Sequence, residues 1–246
     1  MKIINLFDSQ IFFEANSELE EYRIQSLLEK EPETISWIES WDAEKSKIFF
    51  DIGANIGIYS LYAAYKHQNI EVFSFEPVQE NFIALVKNIN LNNMNINPIN
   101  LALSSEVGFK ELFLSDLRVG NSGAQIDEAK NEAGEGFSPK KVEKILTVSI
   151  DTLIHSFKMP APNYIKIDVD GLEPKILQGM SNTLKSDNTL SILVESNNHE
   201  QLKLFSQDLL EAGFKIDKAI ESLPNHSNKR RTAKGSLARN IIFRRH

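Results

Sequence analysis

Asp51-Ile52-Gly53-Ala54-Asn55-Ile56-Gly57 sets an acid and two glycines at the end of an apolar run, Ile48-Phe49-Phe50. Gly53 can take backbone angles closed to other residues, and Gly57 lets a following helix start close to the strand. Free N–H groups at such a helix start attract negative charge. A dinucleotide fingerprint reads G-x-G-x-x-G. Here the spacing is Asp51-x-Gly53-x-x-x-Gly57, with an acid ahead of the first glycine. Asp51 serves a pyrophosphate poorly and an ammonium well. S-adenosylmethionine carries an ammonium, a sulfonium, a ribose, an adenine and a single carboxylate, so it suits this stretch better than NAD. A turn kept only for its geometry is the alternative.

Further residues extend that chemistry. Glu76 follows Asp51 by 25 residues and closes the apolar run Val72-Phe73-Ser74-Phe75, ahead of Pro77. An acid at the end of a second strand is placed to accept both ribose hydroxyls; otherwise it is an exposed strand-end acid. Asn100, Leu101, Ala102 and Leu103 fall at the exit of a third strand, where a backbone N–H meets adenine and apolar side chains hold its face. Lys166, Asp168 and Asp170 alternate along a fourth strand, so their side chains point one way and cluster charge, as active sites do. The alternative is a strand-end salt bridge. An alcohol needs a base to become a nucleophile. His199, after the fifth strand, offers a neutral imidazole, and Asp168 is the second candidate. Asp168, Glu195 and Asn197 offer oxygen donors to Mg²⁺, but strand-end acids are common without metal and no metal is assigned.

The elements that position these residues read as α/β. Strand, glycine turn and the helix Ile58 to Tyr65 make the first unit of a nucleotide-binding sheet. Gln79 to Asn90 carries Phe82, Leu85, Val86 and Ile89 on one helical face. Strands are expected at Ile96 to Leu103, Tyr164 to Ile167, Thr189 to Glu195, Lys215 to Ile220 and Asn240 to Arg244, the last two as an antiparallel pair completing seven. Asp151 is expected to cap a helix from Thr152 to Phe157. Residues 104–146 break the βα alternation with an added strand, Lys110 to Leu114, and a long loop over the ligand edge, where Asn121 and Ser122 could touch a ligand. Residues 1–46 form an α/β arm ahead of the domain at 47–246. Ile3 to Phe13 reads as short strands, Ser17 to Glu29 as a helix capped by Ser17 with Glu20 behind it, and Pro32 opens a second helix. The arm is a cover for the sheet or a lid over the substrate. Trp37 and Trp41 mark core or an oligomer interface.

Composition narrows the classes. A chain of 246 residues with 41% hydrophobic and 25% charged residues can bury a full core. A formal charge of −7 argues against non-specific nucleic-acid binding. The absence of cysteine excludes disulfides and thiolate metal sites and suits the cytoplasm. No apolar run approaches a membrane span, and the start lacks a signal-peptide core. Lys229 to His246 holds seven basic residues and no acid, leaving 20 basic against 34 acidic elsewhere. That stretch could hold a phosphorylated or nucleotide-linked substrate, or be a solvated basic loop.

Taken in order, Phe49-Phe50-Asp51-Ile52-Gly53-Ala54-Asn55-Ile56-Gly57, Phe75-Glu76-Pro77, Asn100-Leu101-Ala102-Leu103, Val148-Ser149-Ile150-Asp151-Thr152-Leu153 and Ile165-Lys166-Ile167-Asp168-Val169-Asp170-Gly171-Leu172-Glu173 resemble the FkbM family of SAM-dependent methyltransferases over roughly residues 46–246. The family usually has Glu where Asp170 stands. The resemblance implies a class I methyltransferase fold, Rossmann-like, with a seven-stranded mostly parallel sheet and helices on both faces. It implies O-methyl transfer to a small-molecule hydroxyl, on sugars, polysaccharide precursors or polyketide products, a sugar or polysaccharide precursor first of all. It places Asp51, Gly53, Asn55 and Gly57 around the methionine part, Glu76 at the ribose and Asn100 to Leu103 near adenine; Pro77 and Asp168 are also expected at the cofactor, and Lys166 joins His199 and Asp168 as a catalytic candidate. A nucleic-acid methyltransferase is the rival enzyme, disfavoured because Asp168-Val169-Asp170-Gly171 lacks the Asn/Asp-Pro-Pro-aromatic run. An inactive SAM-binding module is the rival of another class.

Overall fold

In a computed structural model of the chain, the apolar runs become the strands of one central sheet. The structure describes residues 2–7, 10–42, 44, 47–130, 135–196, 199–233 and 238–245, with the side chains of 199–201, 230, 232 and 233 outside that description. The N-terminal segment holds β1 (Lys2–Leu6), β2 (Ile11–Ala15), α1 (Glu18–Gln25), α2 (Leu27–Lys30) and α3 (Pro32–Glu39). Regular alternation follows in β3 (Lys47–Ile52), α4 (Ile58–Lys66), β4 (Ile70–Phe75), α5 (Gln79–Asn90) and β5 (Ile96–Ile99). Four strands come next: β6 (Ala102–Leu103), β7 (Gly108–Leu114), β8 (Ala124–Ile126) and β9 (Lys141–Val148). The chain continues through α6 (Ile150–His155), β10 (Tyr164–Ile167), α7 (Glu173–Gln178), β11 (Ser191–Ser196), α8 (His199–Glu211), β12 (Phe214–Ile216), α9 (Lys218–Glu221), α10 (Ser227–Ala233) and β13 (Arg239–Arg245).

The central sheet runs β12-β13-β11-β10-β3-β4-β5, and only β13 is antiparallel to its neighbours. The seven-stranded, mostly parallel sheet is therefore mixed near one edge, where β13 alone reverses. From β3 the chain steps outward to β5 and then restarts at β10 on the other side. That reversal opens a crevice at the C-terminal ends of β3 and β10, the usual ligand position in open α/β sheets. Strand alternation sends Phe49 into one apolar layer, with Trp37, Trp41, Leu61 and Leu85, and Phe50 into the other, with Phe75, Ile165, Ile176 and Phe205. Trp37 and Trp41 are core: Trp37 is fully buried and donates its Nε1–H to Ser191 Oγ at 2.8 Å.

Four expectations change. The third strand does not run unbroken from Ile96 to Leu103. Asn100 donates from Nδ2 to the backbone oxygens of Glu76 and Pro77, the chain turns there, and β6 joins β9 in a second sheet. Most of 104–146 is not loop but that sheet, ordered β6-β9-β7-β8. Alternation along β7 buries Leu112 and Leu114 on one face with Ala102 of β6 and Ile126 of β8, the pattern of a layer wet on the other. Residues 131–134 lie outside the described set. Asp151 does not cap its own helix: Ser149 caps α6, and Asp151 accepts from Asn182 N, Thr183 N and Thr183 Oγ1 across the fold. The sixth strand stops at Ile216, because Asp217 caps α9 through Ala219 N and Ile220 N.

Candidate active site

The site starts at the turn after β3. Gly53 has φ +81°, and a Cβ there would lie 2.0 Å from Asp168 O, so only glycine lets the ends of β3 and β10 meet. Gly57, at φ +89°, packs where a Cβ would lie 2.6 Å from Leu85 Cδ1. Asn55 also takes a positive φ of 52°, and its Oδ1 accepts from Ile56 N. The N–H groups of Gly53 and Ala54 donate to Phe75 O at 2.9 and 3.0 Å. This turn is thereby tied to the end of β4.

Glu76 completes the tie. Its Oε2 accepts from Asn55 N at 2.8 Å and its Oε1 from Val78 N at 2.9 Å. Burial pushes its carboxyl up to about 7, against the pull of those two N–H donors. Above it, Asn55 Nδ2 and Asn81 Nδ2 donate to Asn121 O, and Gly120 N donates to Asn81 Oδ1. Asp170 holds the other end of this loop through Gly123 N, at 2.6 Å. Asp170 therefore does not share a face with Lys166 and Asp168. The strand ends at Ile167 and Asp170 sits at φ 53°, so period-two alternation no longer applies.

The walls enclose a cavity of about 290 Å³. Phe75, Leu101, Ala102, Leu103, Leu112 and Ile126 make its apolar end. Gly53, Asn55, Glu76 and Pro77 line its middle, and Lys30, Glu31, Asp168, Glu195 and Arg231 its polar end. Asn121, Ser122 and Gly123 also reach the wall. Asp51, Gly57, Asn100 and Lys166 are not on it. Asp51 is buried beneath the turn, where its Oδ2 accepts from Ser60 Oγ at 2.5 Å and Oδ1 has no hydrogen-bond partner. Burial raises its carboxyl, with Lys166 opposing. Asn100 supports the site from behind, through its bonds to Glu76 O and Pro77 O.

The polar end is a charge cluster. Lys166 is buried, 2.7 Å from Asp168 Oδ2 and 5.0 Å from the centre of the Tyr59 ring. Burial would lower its ammonium, but Asp168, Asp51 and Glu31 together hold it above the usual lysine range. Burial would likewise raise Asp168, yet Lys166 keeps it well below the usual carboxylate range. Glu195 moves the opposite way. Burial and the neighbouring Asp168 charge raise it, despite Arg231 Nη1 at 2.5 Å. Arg231 also reaches Glu31 at 3.3 Å, and Tyr59 donates its hydroxyl to Glu31 at 2.9 Å. Lys166 thus favours the charged form of Asp168, and that charge in turn works against ionisation of Glu195 beside it.

The side chain of His199 and all of Asn197 lie outside the described residues. Among the described residues no group of three His, Asp or Glu side chains gathers as a metal site. Sequence reasoning missed Arg23, Lys30 and Glu31, which reach the wall from α1, α2 and the residue after it. Nothing local marks them, because their role depends on packing against strands far along the chain. Leu112 and Ile126 were findable from the alternation in their strands.

A ligand crevice at the strand ends, a glycine turn braced by a buried acid and an apolar slot beside it define a methyltransferase-like α/β domain. The chain belongs to the methyltransferase FkbM domain family, whose pattern matches residues 51–226. It is 30% identical over 155 residues to the hexuronic acid methyltransferase AglP of Haloferax volcanii, covering 63% of this chain and 59% of that protein. It is 27% identical over 154 residues to the 31-O-demethyl-FK506 methyltransferase FkbM of Streptomyces tacrolimicus, covering 54% and 59%. The chain thus spans less than two thirds of the length of these relatives. The solved methyltransferase FkbM of Methylobacillus flagellatus shares the fold at a TM-score of 0.50 and 15% identity, over 81% of this chain and 43% of that one.

Proposed function

We propose that this protein is a SAM-dependent O-methyltransferase of the class I fold, acting on a hydroxyl of a small molecule, a sugar or polysaccharide precursor. The observation that carries the reading is Glu76, a buried carboxylate on the cavity wall between the glycine turn and the apolar slot. Ribose hydroxyls suit Glu76, adenine suits the slot of Leu101, Ala102, Leu103 and Leu112, and an amino-acid tail suits the turn of Gly53 and Asn55. The names of the relatives, one a hexuronic acid methyltransferase, support a sugar acceptor.

S-adenosylmethionine, when bound, supplies an electrophilic methyl carbon. The residues of this chain must align the acceptor oxygen with it and take its proton. Asp168, ionised and on the wall, accepts a hydrogen bond from the acceptor hydroxyl. Lys166 holds Asp168 in that state. His199 opens α8 just beyond β11 and is the other candidate base. Arg231, fixed by Glu31 and Glu195, orients the acceptor end. Four acids on the wall besides Glu76 (Glu31, Asp168, Asp170 and Glu195) disfavour a nucleic-acid backbone there. Among the described residues no helix is long and apolar enough to cross a membrane, and a cysteine-free chain suits cytoplasmic work.

The test is transfer of labelled methyl from SAM to a panel of hexuronic acids and nucleotide-linked sugars, with His199→Gln and Asp168→Asn beside the wild type. Transfer abolished in His199→Gln, with S-adenosylhomocysteine binding intact, makes His199 the base. Full turnover in that variant and loss in Asp168→Asn makes Asp168 the base. Wild type that binds S-adenosylhomocysteine but methylates nothing on the panel contradicts the enzyme reading and points to a binding module.

A further inference from the structure

α1 and α2 carry two cations to the cavity wall, Arg23 and Lys30, and α10 carries a third, Arg231. Two of the three are matched by acids of the protein. Lys30 meets Glu31 at 3.2 Å, and Arg231 meets Glu31 and Glu195. Arg23 differs. Its Nε is buried without a hydrogen-bond partner, and among the described residues no carboxylate pairs with its guanidinium. Arg23 is half-buried, but an Nε–H drawn from water without an acceptor is costly to hold, and a ligand anion relieves that cost.

The position of Arg23 selects the anion. Its stem lies against Gly120, where a Cβ would come 3.4 Å from Arg23 Cδ and 3.6 Å from Nε. Gly120 and Asn121 are bonded to Asn81 and Asn55, the residues around Glu76. The charge of Arg23 is felt by Glu76, lowering its carboxyl. Arg23 therefore faces the middle of the cavity, by the glycine turn, and not the end held by Asp168 and Glu195. Of the charged groups on SAM, the sulfonium and ammonium are cations, which the charge of Arg23 repels. The carboxylate is its one anion, and Arg23 is the one cation on the wall that lacks a partner among the described residues.

We propose that Arg23 anchors the amino-acid carboxylate of the cofactor by a charge-assisted pair. The inference rests on the SAM reading above. It makes a residue outside the family-matched span 51–226 part of the cofactor site.

Calorimetry of the full chain with two ligands tests it. S-adenosylhomocysteine has the carboxylate, and 5′-methylthioadenosine keeps the ribose and adenine but lacks the amino-acid part. Arg23→Met is expected to weaken S-adenosylhomocysteine binding about tenfold or more, the usual loss for a charged hydrogen-bond pair. Binding of 5′-methylthioadenosine is expected to stay within about twofold, which also shows that the variant is folded. Arg23→Lys is expected to recover part of the loss. Unchanged S-adenosylhomocysteine affinity in Arg23→Met, or an equal fall for both ligands, overturns the proposal. A raised KM for a hexuronic acid with unchanged S-adenosylhomocysteine affinity overturns it in favour of an acceptor carboxylate. Wild type that binds neither ligand removes the SAM reading itself, a failure distinct from that of Arg23.

Discussion

In the ribose role proposed above, Glu76 is expected to make cofactor binding depend on pH, with a sign and size that follow from its surroundings. Burial raises its carboxyl to about 7, although two backbone N–H groups stabilise the ionised form. Ribose hydroxyls donate, so they need the carboxylate and not the neutral acid. The competent fraction is then roughly one tenth at pH 6 and nine tenths at pH 8, and apparent affinity scales with it. The dissociation constant for S-adenosylhomocysteine is expected to tighten about tenfold from pH 6 to pH 8 and to flatten above. 5′-Methylthioadenosine, with no α-amino or carboxyl group, is expected to show the same slope. Glu76→Gln removes the titration. Its amide also turns an NH₂ toward Asn55 N or Val78 N, donor against donor. Its affinity is expected to be flat across this range and about tenfold to a hundredfold weaker at pH 8, as for a lost hydrogen bond to a charged group. Titration calorimetry at three pH values reads all of this. A wild-type affinity independent of pH, or a slope that survives in Glu76→Gln, would refute the ribose role.

Three further outcomes follow from close contacts and burial. Gly53→Ala, with its Cβ 2.0 Å from Asp168 O at φ +81°, is expected to lose about 2 kcal/mol or more in urea denaturation and to lose cofactor binding. Gly179→Ala, with its Cβ 2.2 Å from Ser104 O, is expected to lose stability and keep affinity, since Gly179 is off the cavity wall. Glu173 is raised by burial from 4.5 to about 7, so its stabilising share is present below 4.5 and lost as pH rises through 7. Relative to wild type, Glu173→Gln is expected to gain roughly 3 kcal/mol between pH 4.5 and pH 8 in urea denaturation, and an unchanged difference would contradict the sign.

The strands of the central sheet were legible because parallel strands buried on both faces read as apolar runs. The glycine turn and Glu76 were legible because their spacing is local. Residues 104–146 misled, since Lys141 to Val148 alternates with charges and reads as polar until its partner β7 is known. Spacing places Asp51 beside the glycine turn but does not say where its side chain goes, and Ser60 receives it in the layer below. Asp170 shows the same limit, because alternation predicts a face only while the strand lasts.

Arg23, Lys30 and Glu31 were illegible, and the bonds that set them lie away from the cavity. The N-terminal segment is fixed at two places. Ahead of α1, β2 is tied to α5: Phe12 N and Phe12 O bond Asn92, and Glu14 N bonds Asn88 Oδ1 at 2.8 Å. Beyond α2, Glu33 accepts from Ser227 N, Ser227 Oγ and Asn240 Nδ2, joining α3 to α10 and β13. Between these two anchors α1 and α2 have little freedom to leave the cavity mouth. Ser17 and Glu20 further fix where α1 starts, through the hydrogen bonds of a capping box. The Glu33 anchor also sets α10, and with it Arg231 beside Glu195. A single buried carboxylate, far from any motif, thus holds both the N-terminal and the C-terminal cations against the same cavity. The family match ends at residue 226, one position before Ser227 supplies that anchor. The parts of the wall contributed by Arg23 and Arg231 therefore lie outside the span that defines the family.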